Sequence, residues 1–186
     1  MPSITRWLPG GEAADCQGGE GVDLKLVKAT IEQKPILANL LELCAYEFTE
    51  FASFDIGDDG FYGYEHLSLY WSDENRYPYL VYINSKIAGF VLVRRCLFAA
   101  DKTQNVWDVS EFFIMKKYQR QGIGTKVARQ IWNQFKGRWQ VRVLTNNKAA
   151  LAFWPKAIVQ FTKTEPPIGK VHGPKQEWHA YQFLSQ

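Results

Sequence analysis

The sequence predicts an α/β domain in which a mixed sheet carries helices on both faces. Three observations predict it. Apolar runs of strand period alternate with stretches of helical period along most of the chain. A glycine-bearing turn, Gln119-Arg120-Gln121-Gly122-Ile123-Gly124, joins an apolar strand (residues 106–115) to an amphipathic helix (residues 125–135). The 186 residues, 46% hydrophobic and 15% aromatic, suffice for one domain with a full core.

Taken in order, residues 1–21 hold Gly10-Gly11, Gly18-Gly19 and Gly21 with little apolar periodicity. They read as a loosely ordered leader before a single domain spanning 22–186. Residues 22–28 alternate Val and Leu with Asp and Lys as a half-buried strand does, with Val27 as the exception. Leu37, Leu40, Leu41, Cys44, Phe48 and Phe51 recur at helical spacing, and Pro35 suits a helix start. Periodicity fades over residues 54–78, where Asp55, Asp58, Asp59, Glu65, Asp73 and Glu74 are mixed with aromatic rings and face only Arg76. An acceptor molecule is expected to bind near this segment. Residues 79–83 and 87–94, joined by Asn84-Ser85-Lys86, form a hairpin, and 99–105 form a polar loop into the strand at 106–115. After the helix at 125–135 comes a strand at 139–145. Beyond Trp154 lie Pro155, Pro166-Pro167, a loop at 169–175 and a last strand at 178–183.

Composition excludes several functions. A net charge of +3 and no cluster of Lys and Arg with interleaved aromatics give no nucleic-acid face. No eighteen-residue apolar run and no charged start followed by an apolar stretch are present, so no membrane partner is expected. Cys16, Cys44 and Cys96 are odd in number and lack metal-ligand spacing, which points to a reducing, cytoplasmic setting. His66, His172 and His179 are scattered, so no metal site is expected.

The turn at 119–124 has the composition of a phosphate cradle. Gly122 and Gly124 permit close backbone approach, and the first N–H groups of the following helix, at its positive end, favour an anion such as a pyrophosphate. Without a third glycine in register or a Gly-Lys-Ser/Thr, it matches neither the dinucleotide fingerprint nor the Walker loop. It resembles the Gln/Arg-x-x-Gly-x-Gly/Ala acetyl-CoA motif of the GNAT family of N-acetyltransferases. A second block agrees: Asn147-x-x-Ala150-x-x-Phe153-Trp154, after the strand at 139–145, is similar to the family's Asn-x-x-Ala-x-x-Phe/Leu-Tyr segment. The tyrosine position is Trp154. Residues 87–94, through Ala88-Gly89-Phe90-Val91, resemble the family's third strand, so the likeness covers roughly residues 80–160.

The resemblance implies the GNAT fold, a mostly antiparallel mixed sheet with splayed fourth and fifth strands, acetyl-CoA as co-substrate, and frequent homodimers. It implies direct attack of a primary amine on the thioester within a ternary complex. Gln119, Arg120, Gln121, Gly122, Ile123, Gly124 and Thr125 would line the pyrophosphate turn. Phe113, Ile114 and Met115 would flank the pantetheine arm with Asn147, Ala150 and Phe153, and the Ile114 N–H would serve the oxyanion. The acceptor itself is not identified by the resemblance; the carboxylates of residues 54–78 either attract a cationic one, such as a polyamine, an aminoglycoside, or a lysine or N-terminal amine, or belong to a solvated loop. Two carboxylates of the fourth strand, Asp108 and Glu111, are candidate bases, because a partly desolvated carboxylate is raised toward the working range. Strict alternation sends them to opposite faces, while the bulge usual in this family's fourth strand breaks that parity, so both stay candidates. An indole N–H donates a hydrogen bond but not a proton, so Trp154 is a weak acid candidate for the thiolate, and water is left to that task. The same substitution supports an alternative, a non-catalytic CoA-binding or interaction module.

Overall fold

The computed structural model describes residues 22–98, 104–173 and 176–186; the expected leader and most of the loop at 99–105 lie outside them. The strands are β1 (Leu24–Lys28), β2 (Arg76–Ile83), β3 (Lys86–Leu97), β4 (Asn105–Ile114), β5 (Gly137–Leu144), β6 (Ile168–His172) and β7 (Glu177–Ser185). They form one sheet in the order β1-β2-β3-β4-β5-β7-β6. Every neighbouring pair is antiparallel except β4 with β5. Central strand β3 carries an unbroken buried run, Ala88 to Val93, because helices cover both of its faces.

Alternation sorts the strand side chains between two cores. Leu80, Phe90, Leu92 and Phe113 meet α1 (Lys34–Phe48) and α2 (Leu69–Ser72) through Leu37, Leu40, Leu41 and Tyr70. On the other face Val81, Val91, Val93, Val109 and Val141 meet α3 (Ile123–Gln134) and α4 (Lys148–Thr162) through Val127, Ile131, Trp132, Ala157 and Ile158. At roughly 25 cal/mol per Å² of apolar surface removed from water, burial of these side chains is the main drive to this two-sided arrangement.

Two irregularities shape the middle of the sheet. The parallel β4–β5 ladder holds only from Trp107↔Trp139 to Val109↔Val141 and is not continued by the rest of either strand. In the β3–β4 ladder the register jumps from Leu92↔Glu111 to Val93↔Val109, so Ser110 is the extra residue of a bulge. One extra residue restores parity, and Asp108 therefore shares a face with Glu111 and with Leu92 and Arg94 opposite them.

Elsewhere the observed elements depart from the sequence reading in ways local chemistry explains. Residues 169–172 of the stretch expected as a loop at 169–175 belong instead to strand β6, which pairs along its whole length with β7. Gly169 and the flanking prolines hid it, and as an edge strand it needs no apolar run of its own. Helix α4 runs through Pro155, which sacrifices one hydrogen bond to Leu151 and ends only where Lys163 turns left-handed (φ 64°). β2 begins at Arg76, three residues before the expected start, where Asp73 holds the turn by accepting from the Asn75 backbone N–H at 2.9 Å and the Arg76 Nε at 3.1 Å.

Candidate active site

The turn after β4 is built by its own side chains. Residues Lys116–Tyr118 form a single 3-10 turn, and the Gln119 amide donates back to the Ile114 carbonyl at 2.7 Å. Gln121 donates likewise to the Lys117 carbonyl at 2.8 Å. These bonds hold Arg120 at φ 59° and Gly122 at φ 74°, a left-handed pair in which the first is a non-glycine residue. Gly122 caps α3, whose first helical bond runs from the Lys126 N–H to the Gly122 carbonyl. The N–H groups of Ile123, Gly124 and Thr125 precede that bond, and no side chain caps them. A Cβ on Gly124 would stand 3.2 Å from Phe153 Cζ, so glycine there lets the helix start lie against α4.

A cleft of about 1240 Å³ opens from this turn. It passes between the diverging halves of β4 and β5, along Ser110 to Ile114 and Arg142 to Leu144, and ends against the C-terminal half of α1. Among the residues assigned by resemblance, Glu111, Phe113, Ile114, Gln119, Arg120, Gly122, Gly124, Thr125, Asn147, Ala150, Phe153 and Trp154 line it. Met115, Gln121, Ile123 and Asp108 do not. Ile123 is core, 1% exposed, and Met115 packs beside the α1 core. Asn147 spends its side-chain oxygen capping α4, accepting from the Ala150 N–H at 2.9 Å.

The two carboxylates of β4 have different environments. Asp108 is fully buried and bound on both oxygens: Arg94 Nε donates to Oδ2 at 3.0 Å, Arg142 Nε to Oδ1 at 3.2 Å, and an Arg142 terminal nitrogen to Oδ2 at 3.0 Å. Its lone pairs are committed, and it anchors β3, β4 and β5 together. Glu111 faces the cleft. Desolvation pushes its carboxyl up to about 7; a hydrogen bond from Tyr64 and the positive field of Arg142 pull the other way. Tyr70 and Ser110 place buried hydroxyls beside this group. Cys44, also in the cleft, has its thiol pushed up to about 12 by burial and by the Glu111 and Glu47 carboxylates. A thiol held protonated is no acyl-carrying nucleophile.

Trp154 packs edge-on against Phe112 at 5.0 Å between ring centroids and beside Phe153 at 4.9 Å, while Phe112 itself faces the Gly124 position. The far end of the cleft is aromatic: Phe48, Phe51, Phe54, Tyr62 and Tyr64. Phe54, Tyr62 and Tyr64 of the 54–78 segment thus reach the cleft, but its acidic residues do not line it. Sequence reading missed Tyr64, Glu47 and the two arginines. Arg142, set between Val141 and Val143, is the one with a visible signal: a long cation pointing inward from a core strand.

Residues 38–158 match the family model described as "Acetyltransferase (GNAT) family". The chain belongs to this family. No curated protein sequence matches the chain. Solved structures share the fold. A GNAT-family acetyltransferase from Streptococcus agalactiae superposes with a TM-score of 0.67 at 12% identity, covering 88% of this chain and 96% of that one. One from Streptococcus pneumoniae gives 0.58 at 21% identity, covering 87% and 99%. A spermidine N-acetyltransferase from Vibrio cholerae, solved with CoA and spermine, gives 0.59 at 12% identity, covering 87% and 95%. Among the described residues no group of His, Cys, Asp and Glu could hold a metal, and no helix is long and apolar enough to cross a membrane.

Proposed function

We propose that this GNAT-family chain is an N-acetyltransferase that moves an acetyl group from acetyl-CoA to a primary amine by direct attack. The observation that carries this is one continuous cleft joining the uncapped N–H groups at the start of α3 to the Glu111 carboxyl. The residues present fit the co-substrate. Three backbone donors at a helix's positive end suit a pyrophosphate, and Arg120 at the same turn adds charge. The unpaired facing edges of β4 and β5 suit an extended arm bearing amides, which would satisfy backbone groups the short ladder leaves open.

When bound, acetyl-CoA supplies an activated acyl group. The chain does the rest. Glu111, titrating near 7, takes a proton from the incoming ammonium, so that a neutral amine is delivered. The Ile114 N–H, fixed where Gln119 grips its carbonyl, is the donor for the developing oxyanion. Positioning along β4 makes the encounter effectively unimolecular. The Trp154 N–H makes no hydrogen bond among the described residues and offers at most a donor to the leaving sulfur, so proton delivery there falls to water.

Calorimetric titration with acetyl-CoA tests the reading, with Gly124→Glu beside the wild type. Micromolar binding by the wild type, abolished in a folded Gly124→Glu, is expected; no binding by the folded wild type overturns it. Trp154 in the tyrosine position favours a second reading, a module that binds CoA without turnover. Release of free thiol in the presence of amines separates the two.

A further inference from the structure

The acceptor half of the cleft lacks the charge of a polycation site. Of its three lining carboxylates, Glu47, Glu50 and Glu111, the last already lies in the positive field of Arg142. Glu47 is further offset by Lys116 at 3.7 Å. None of the carboxylates of residues 54–78 lines the cleft, and two of them are spent on turns: Asp59 accepts from the Phe61 N–H at 3.1 Å, and Asp73 from Asn75 and Arg76. What the cleft offers instead is a wall of rings, and that wall is fixed. Both Glu42 oxygens hold its backbone, accepting from Tyr62 N–H at 2.7 Å and Gly63 N–H at 2.9 Å. Asn146, 95 residues away in sequence, donates to the Phe51 carbonyl at 2.7 Å. Phe54 meets Tyr62, and Phe48 meets Phe51, edge to face.

From this we infer, resting on the transferase reading, that the acceptor is a monocationic primary amine on an aromatic or apolar body. Its ammonium sits beside Glu111, the carboxylate deepest in the acceptor half, with ring faces around it for cation–π attraction. Its body lies against Phe48, Phe51, Phe54 and Tyr62. A second or third ammonium would have to leave water for apolar walls with only Glu50, exposed at the rim, to meet it. Spermidine and aminoglycosides are disfavoured on that account, although proteins of the same fold act on them.

Thiol release at saturating acetyl-CoA is measured with phenethylamine, tryptamine, spermidine and kanamycin. The arylalkylamines are expected to show kcat/KM at least tenfold above both polycations. Tyr62→Ala is expected to raise KM for tryptamine about tenfold while leaving acetyl-CoA affinity unchanged. Equal or better turnover of spermidine or kanamycin overturns the acceptor class and leaves the transferase reading standing. If no amine releases thiol, calorimetry of the same amines into the protein saturated with CoA decides. Arylalkylamine binding alone supports the acceptor class while removing the catalytic reading, and absence of such binding overturns the class.

Discussion

Asp108 and Glu111 lie on one face of β4, brought to the same side by the bulge at Ser110, yet only Glu111 opens into the cleft. The pair divides labour by burial. Asp108 bridges two guanidinium groups at the β3–β4–β5 junction; Glu111 is left with a carboxyl whose proton is easily exchanged near neutrality. Removing one partner of a buried ion pair strands the other, which costs about 3–5 kcal/mol. Asp108→Asn is therefore expected to lower unfolding free energy by about that amount in urea, whereas Glu111→Gln is expected to be at least as stable as the wild type, bind acetyl-CoA normally and lose about 100-fold or more in kcat. Equal loss of stability in both would contradict the division.

The pH dependence follows from the sign of the Glu111 shift. Its carboxyl must be ionised to accept a proton, so kcat/KM is expected to rise with pH and level off above about 7, apart from a further rise as the amine itself titrates. Tyr64 favours the charged form, so Tyr64→Phe is expected to move that limb to higher pH, a change in profile that mere loss of packing would not produce. Stability moves oppositely. A carboxyl whose pKa is raised on folding holds its proton more tightly in the folded chain, so its contribution is present at low pH and fades as pH climbs through about 7. Thermal midpoints between pH 5 and 8 should fall more for the wild type than for Glu111→Gln.

Gly89 tests the geometry of the proposed oxyanion donor. A Cβ there would stand 2.0 Å from the Phe113 carbonyl oxygen and 3.0 Å from Ile114 Cα, so alanine must push β3 and β4 apart where the Ile114 N–H is aimed. Gly89→Ala is expected to cost about 1–3 kcal/mol in stability and to lower kcat in the folded fraction. Wild-type kcat in a folded Gly89→Ala would place the oxyanion donor elsewhere.

The same residues show what a sequence discloses. The turn at 119–124 and the block from Asn147 were legible because they are local: glycines, a strand before and a helix after. The parity of Asp108 and Glu111 was not, since a bulge at Ser110 is set by register against β3 and leaves no mark in composition. Nor could the partners of Asp108 be read, because Arg94 and Arg142 reach it from two other strands, 14 and 34 residues away. Strand β6 was hidden for a related reason, its pairing being supplied by β7. Composition also does not tell where the carboxylates of residues 54–78 end up: none lines the cleft, and Asp59 and Asp73 serve their own turns. Simultaneous neutralisation of Asp58, Asp59, Asp73 and Glu74 is therefore expected to leave kcat/KM for cationic amines within about twofold in protein that stays folded, even at low ionic strength where steering is strongest.

Trp154 separates packing from proton transfer. Its ring is 6% exposed and fills space among Phe112, Trp132 and Phe153, so shortening it to phenylalanine opens a void that the surrounding rings only partly close. A loss of about 1–3 kcal/mol in unfolding free energy is expected for Trp154→Phe, within the range for large-to-small core changes. Turnover should change far less, by under about tenfold, because an indole has no proton to give at neutral pH and the substitution removes at most one hydrogen bond to the sulfur. Trp154→Tyr keeps an aromatic body and supplies a hydroxyl, and is expected to turn over at least as fast as Trp154→Phe. Stopped-flow thiol release paired with chemical denaturation reads both quantities on the same samples. A fall of several orders of magnitude in kcat for a well-folded Trp154→Phe would assign the indole a direct part in the reaction and displace water from that role.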